Sequence, residues 1–538
     1  MPLDALVTGR IATFAGDLGF GWVEAIGIRN GRVAFAGSAV ALETRADPHT
    51  RRFEMEPGEI AIPGLTDAHL HYFDAALASE HVDLTSARTL EEGLAALVDA
   101  ARALAPGAWL EGGGWDQRRW GRWPTAADLD RALPGRPVAL WSFDHHAVWG
   151  SGTALAMAGL DARVSDPAGG IIRRLLDGSP EGVVLENACP IVMGRVPPPD
   201  DATVRRTLGN LGRELLALGV VGVHDPGNVS PDTDLLAFGA YAALADAGAL
   251  PIHVHASLRP ESLDTAIGRG LRSGGRLGEA EAGRARIGWL KLFADGTLGS
   301  GTAALLEPRE GASDLGVFRQ GPDELMFLAR RAAEAGISSQ IHAIGDAAVR
   351  AALDALAPTA STVPLMPRLE HVQLVHPADR ARFAASGVAA SVQPVHLRED
   401  AATARRDWGD RAESCGYTWR TLLDEGAVLA FGTDAPVEPI DPWPGIAMAV
   451  LRRDPSWGPD AVAYGPHEAL DLETALRAAT VGPATTAREP DRGRLVPGSR
   501  ADVVVLPAAP RERGGVGSGF AAVRPRLVLL DGEAVVER

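Results

Sequence analysis

Of the 52 lysine and arginine residues in this 538-residue chain, Lys291 is the single lysine. Arginine supplies a permanent charge and paired N–H donors, whereas a buried lysine can lose its proton and become a nucleophile. Lys291 lies in Trp289-Leu290-Lys291-Leu292-Phe293-Ala294-Asp295-Gly296, an alternating, strand-like run where a cation is costly to bury. The residue type points to an amine kept for its chemistry. A lysine that reacts with carbon dioxide becomes a carbamate, which is a carboxylate on a long stem able to bridge two metal ions. Five more residues of metal-binding type stand at or near the ends of apolar runs. They are His69 and His71 in Asp67-Ala68-His69-Leu70-His71, then His342, His371 and Asp434. Imidazoles and carboxylates suit Zn²⁺ or a similar divalent first-row ion, and a water shared by two such ions yields hydroxide near neutral pH.

Residues so far apart in sequence need a scaffold that delivers each from its own element. The middle of the chain alternates apolar runs with Ala-, Leu- and Arg-rich helical stretches such as 325–335 and 346–356. The runs include Gly219–Asp225, Pro251–His255, the Lys291 segment, Ile337–His342, Arg368–Val372 and Val428–Asp434. Repeated strand and helix imply a parallel sheet, and this many units favour closure into a (β/α)8 TIM-type barrel, whose sites form at the C-terminal ends of the strands. Residues from about 82 to 210 break the rhythm and read as an insertion after the first barrel strand. Both ends of the chain read as strands. Asn30-Gly31 joins Ala25–Arg29 to Arg32–Ala36 as a hairpin, and Ala501–Leu506 and Leu527–Val536 follow a helical 467–480. The expected organisation is a sheet domain from 1–61 and 482–538, and a barrel from 62 to 481.

Six segments together resemble the metal-dependent amidohydrolase superfamily, in the branch that includes N-substituted formamide deformylases. They are Pro63-Gly64-Leu65-Thr66-Asp67-Ala68-His69-Leu70-His71, Lys291 to Ser300, His342-Ala343-Ile344-Gly345-Asp346, Glu370-His371-Val372-Gln373, Ser391 to His396, and Gly432 to Pro439. The resemblance covers nearly the whole chain. It implies a barrel joined to a β-sandwich built from both termini, and a binuclear centre with a carboxylated lysine. His69, His71 and Asp434 would hold one ion, His342 and His371 the other, with modified Lys291 between them. Asp434 would then take a proton from the attacking water and pass it to the departing nitrogen, cleaving an amide. His146 and Glu186 fall in stretches like those that line such sites, so both are expected near substrate or the metal ligands. Asp346 is expected to cap the helix after His342, while His224, His253, His255 and His396 are expected to support the site or fill the core. The resemblance also implies association as a homodimer.

The formal charge of −17 argues against nucleic-acid backbones and anionic membranes as partners. A small amide substrate fits better. No apolar stretch approaches the length of a membrane span, and the first residues lack the pattern of a signal peptide, so a cytoplasmic location is expected. Cys189 and Cys415 form no metal or redox motif. Trp115, Trp120, Trp123, Trp141 and Trp149 in the insertion, with Trp443, give the substrate clue: an aromatic cleft beside the metals for an apolar group on the amide nitrogen. Trp115 is taken as its representative. Two other readings compete with linear amide hydrolysis: hydrolysis of a cyclic amide or imide at the same centre, and a catalytically silent binding or regulatory protein on the same barrel.

Overall fold

The computed structural model describes residues 2–143, 147–167, 170–186, 188–227, 234–280, 283–458, 460–507 and 522–538. Eight strands form one all-parallel sheet in chain order. They are β1 (Leu65–Asp67), β2 (Val220–Asp225), β3 (His253–Leu258), β4 (Ala285–Phe293), β5 (Ser339–Ala343), β6 (Arg368–His371), β7 (Ala389–Val392) and β8 (Leu429–Phe431). The Ala68 N–H donates to the Phe431 carbonyl at 2.8 Å, bringing the last strand back to the first. Nearly every residue of these strands is buried, as expected where side chains fill the interior and helices cover the outside. Two of those helices are Pro322–Glu334, which starts with proline in its first turn, and Asp346–Leu356. The helical 467–480 is shorter than expected. Its helix is Leu472–Ala478, begun where the Asp471 carboxylate accepts the Thr474 N–H at 2.9 Å.

Strands from both ends of the chain pair into one mixed eight-stranded sheet. It runs 533–537, 527–530, 503–506, 60–63, 5–12, 22–29 and 32–37, with 51–54 also paired to 5–12. Hydrogen bonding links strands from both termini in one sheet, and residues of its two halves, Ile28 and Val33 as well as Val503 and Leu527, share one core. Ile60–Pro63 enters it directly before β1. Val7, Ile11, Ile26, Ile28, Val503, Val505, Leu527 and Leu529 form its core. The Asn30-Gly31 hairpin is present, with φ of 51° and 72°, the left-handed pair that a tight two-residue turn needs.

Ala76–Thr207 forms a separate compact unit. Its six-stranded sheet packs on helices around Trp115, Trp149, Leu97, Leu110 and Leu140. Trp115 is 0% exposed and its indole N–H donates to the Leu140 carbonyl at 2.8 Å, so it is a core residue of this unit and not the cleft residue that its type led us to expect. Trp149 and Trp443 are equally buried. Indole rings carry large apolar area, and burial in the nearest core competes with display in a cleft. Among the described residues, no helix is long and apolar enough to cross a membrane.

Candidate metal centre

Backbone hydrogen bonds between the segments that follow β1 and β8 bring the first ligands together. The Asp434 N–H donates to the His69 carbonyl at 2.6 Å, and the His71 N–H to the Ala435 carbonyl at 2.9 Å. Asp67 ties the same segments from below, accepting the His69 N–H at 3.0 Å and the Thr433 hydroxyl at 2.7 Å. This approach depends on Gly432, where a Cβ would lie 2.5 Å from the His69 nitrogen. Gly432→Ala is therefore expected to cost about 1–3 kcal/mol of stability and to displace His69. Thermal denaturation beside Gly239→Ala, where a Cβ meets open space, checks this.

His69 Nε2 and His71 Nε2 lie 3.3 and 3.4 Å from Asp434 Oδ1, and His396 Nε2 lies 3.4 Å from Asp434 Oδ2. The other ring nitrogens of His69 and His71 are engaged. His69 Nδ1 stands 2.5 Å from Glu370 Oε2, and His71 Nδ1 stands 2.7 Å from the Gly227 carbonyl. Both partners only accept, so a proton sits on each Nδ1, and each Nε2 faces Asp434, where it can offer a lone pair to a metal or hold a second proton without one. His69 Nε2 is buried with no hydrogen-bond partner among the described residues. Two imidazole nitrogens facing one carboxylate oxygen in a buried site call for a cation, a metal ion or a proton, between them.

The sixfold set gathers at the C-terminal end of the barrel. Donor atoms of His69, His371 and Asp434 all lie within 4.8 Å of one another. The tightest triple thus takes members from both of the ligand groups expected from the resemblance. His371 follows Glu370 on β6 and would face outward by strand alternation. Its φ of 74°, with 49° at Val372, turns the ring inward against His342, centroid to centroid 4.5 Å. Such a backbone costs on the order of 1–3 kcal/mol and persists where the surroundings enforce it. His342 Nε2 donates to the Gly296 carbonyl at 2.9 Å, leaving Nδ1 with its lone pair. Lys291 points from β4 into the same interior, with its ammonium 4.9 Å from the Phe293 ring centroid.

Electrostatics couple these groups. Burial pushes the Lys291 ammonium down to about 8, against the opposing pull of Glu370 and Asp434. Burial, then the Lys291 charge, takes His342 down to about 3, and burial with His342 takes His371 well below its usual value. Burial would raise Asp434, but the neighbouring His69, His396 and His71 hold it well below the carboxylate range. Burial opposes a proton on His71, yet Asp434 wins and raises it. A cation entering here displaces that proton, so affinity falls with falling pH.

A second group of metal-ligating type, His253, Asp502 and Asp531, lies at the opposite end of β3. Arg284 and Arg500 sit 3.0 and 2.7 Å from Asp531, and Arg492 sits 3.6 Å from Asp502. These guanidiniums already neutralise the carboxylates.

The sequence profile of the Amidohydrolase family matches residues 57–536. The chain belongs to that family. It is 30% identical to the putative amidohydrolase YtcJ of Bacillus subtilis over 90% of its own length and 91% of the relative's. It is 28% identical to an N-substituted formamide deformylase of Arthrobacter pascens over 90% of each chain. An uncharacterised metal-dependent hydrolase of Pyrococcus horikoshii superposes with a TM-score of 0.79 at 27% identity, covering 94% of this chain and 98% of that one. These relatives place it in the YtcJ-like branch.

Other expected residues fare differently. His146 lies outside the described residues, as does the side chain of Glu186, whose backbone ends the strand Pro180–Glu186. Asp346 accepts the Leu306 N–H at 2.8 Å rather than capping its own helix. The Ala304 carbonyl performs that work, accepting the Ala347 and Ala348 N–H groups at 3.1 and 3.4 Å, while Asp295 accepts the Ile344 and Gly345 N–H groups just before the helix at 3.1 and 2.8 Å and stands 3.5 Å from His342 Nε2. Burial raises its carboxyl to about 7. Asp295 was within reach of sequence reading, because it sits in the Lys291 motif directly before Gly296. Glu370 and Arg368 were not singled out at all.

Proposed function

We propose that this chain hydrolyses the C–N bond of a linear amide, with N-substituted formamides as the narrowest substrate class, at a centre held by His69, His71, Lys291, His342, His371 and Asp434. The observation that carries this reading is the pair of imidazoles with protons fixed on Nδ1 and both Nε2 atoms aimed at Asp434 Oδ1, one of them a buried nitrogen without a hydrogen-bond partner among the described residues. Nitrogen and carboxylate donors in this number suit Zn²⁺, bound as one or two ions. When bound, such ions lower the pKa of a water and polarise a carbonyl.

The chain's own residues do the rest. Glu370 and the Gly227 carbonyl hold the rings of His69 and His71. Asp434 takes the proton of the attacking water and delivers it to the departing nitrogen, with its Oδ2 edge held beside His396. The neutral Lys291 amine attacks the carbon of carbon dioxide, an N–C bond forms and one proton leaves, giving a carbamate that would serve as a metal ligand. At about pH 7 an amine with its acid form near 8 is neutral in roughly a tenth of molecules, against about one in three thousand for an ordinary lysine. Below about pH 8 the protonated fraction dominates, so raising the pH speeds the reaction. At fixed dissolved carbon dioxide, recarboxylation of stripped protein is expected to quicken about tenfold per pH unit up to about 8 and then level off. Incorporation of ¹³C label measures it, and a flat profile would remove Lys291 as the acceptor.

Protein supplied with Zn²⁺ and bicarbonate should release formate from N-substituted formamides with aromatic or alkyl substituents. Turnover confined to cyclic amides or imides would assign the ring-opening alternative. Inertness of a fully metal-loaded protein toward every amide in the panel would sink the enzyme reading and leave a binding role.

A further inference from the structure

Beneath the metal centre lies a buried ion pair that the functional reading does not use. Arg368 and Glu370 alternate inward from β6, two residues apart and so on one face of the strand. Both are 0% exposed. Arg368 Nε stands 2.7 Å from Glu370 Oε1, and Glu370 Oε2 stands 2.5 Å from His69 Nδ1. The guanidinium is fixed on every side. Gln340 Oε1 accepts from its Nε and Nη2 at 3.1 and 2.6 Å, His224 Nδ1 meets Nη1 at 2.8 Å, and the Trp289 ring lies beneath it, 4.0 Å from Cζ to centroid. Gln340 is itself anchored, donating to Ser257 Oγ at 2.9 Å.

We infer that Arg368 is a positioning residue for the metal centre, acting through Glu370 to hold the His69 ring with its proton on Nδ1 and its Nε2 lone pair facing the ligand cluster. A barrel interior is ordinarily filled with branched apolar side chains, and a buried ion pair contributes little that such packing would not. A pair kept for stability alone would need no third partner. Here the carboxylate's second oxygen is spent on a ligand imidazole, the arrangement that fixes tautomer and orientation in metal-binding histidines. The side chains of β4 add to the same design: Trp289 supports Arg368 from below, and Lys291, two residues on, faces the centre above.

The inference rests on reading this cluster as a metal site, and its test reads metal affinity rather than turnover. Zinc dissociation constants of the full metal-free chain, measured by competition with a chromophoric chelator, are compared for wild type, Glu370→Gln, Arg368→Met, Arg368→Lys and the double variant Arg368→Met/Glu370→Gln, each beside its thermal midpoint without metal. Glu370→Gln is expected to weaken zinc binding about 10- to 100-fold. Arg368→Lys, which keeps a cation, is expected to recover most of the affinity that Arg368→Met loses. The double variant removes both charges together and leaves none unpaired, so it is expected to fold while binding zinc as weakly as Glu370→Gln. Folded Glu370→Gln, Arg368→Met or double variants that bind zinc within threefold of wild type would overturn the inference. So would failure of both Glu370→Gln and the double variant to fold, which would assign the pair to holding the barrel. Wild type that binds zinc yet cleaves no amide would refute the proposed function alone, and wild type that binds no zinc would refute both.

Discussion

Lys291→Arg is expected to lower turnover at least about a thousandfold while leaving the protein soluble and folded. On the proposed function a carboxylated Lys291 would supply charge that keeps the ions in place, and the transition-state stabilisation lost with them would be worth several kcal/mol, with each 1.36 kcal/mol a factor of ten. Arginine keeps the positive charge of the unmodified side chain but cannot form the carbamate, so the substitution separates charge from chemistry. Retained turnover would refute the bridging role. Lys291→Met gives the complementary result. The ammonium is depressed from 10.5 to about 8, so between those values the unfolded chain binds more protons than the folded one. Stability of the metal-free, unmodified protein therefore rises with pH across that window, and the full penalty, on the order of 3 kcal/mol, is present below about pH 8. Removing the amine at neutral pH should raise the thermal midpoint of the metal-free protein while abolishing activity.

Asp434→Asn is expected to reduce kcat about a hundred- to ten-thousandfold with metal content partly retained. Asparagine keeps the shape and one carbonyl oxygen but can neither take up the water proton nor balance the imidazoles that surround this position. Paired measurement of kcat and bound metal distinguishes the two losses. A rate unchanged at full metal occupancy would remove Asp434 as the proton carrier, and a rate that falls only in step with metal content would make it a ligand alone. Its φ of 63° and its hydrogen bond to the His69 carbonyl show how closely the backbone controls where this carboxylate points.

Much of this centre was legible because its residue types are expensive where they stand. A lone lysine among arginines, in a run that reads as strand, needs an explanation, and so do histidines at the ends of apolar segments. The alternation of strand and helix gave the barrel for the same reason, since eight covered strands leave long buried runs that no open, half-solvated sheet would show. What stayed hidden depends on direction. Strand alternation places Glu370 inward and His371 outward, and only the positive φ at His371 brings its ring back to His342. Arg368 carried no signal in a chain where nearly every cation is arginine, although the Arg-x-Glu spacing on one strand face held the clue. Trp115 was misread because aromatic content says nothing about which surface a ring meets, and its own unit's core claimed it. The continuous pairing of the terminal sheet depends on which strand edges meet, Ile60–Pro63 lying between Ala5–Ala12 and Val503–Leu506, and no local pattern records that.

The most direct test of the central claim is a crystal structure of protein prepared with Zn²⁺ and bicarbonate, with anomalous data collected at the zinc edge. The account requires an anomalous peak among His69, His71, His371 and Asp434, with density for a carboxylate group on Lys291 Nζ reaching it. A bare Lys291 amine and no anomalous scatterer at these residues would contradict it.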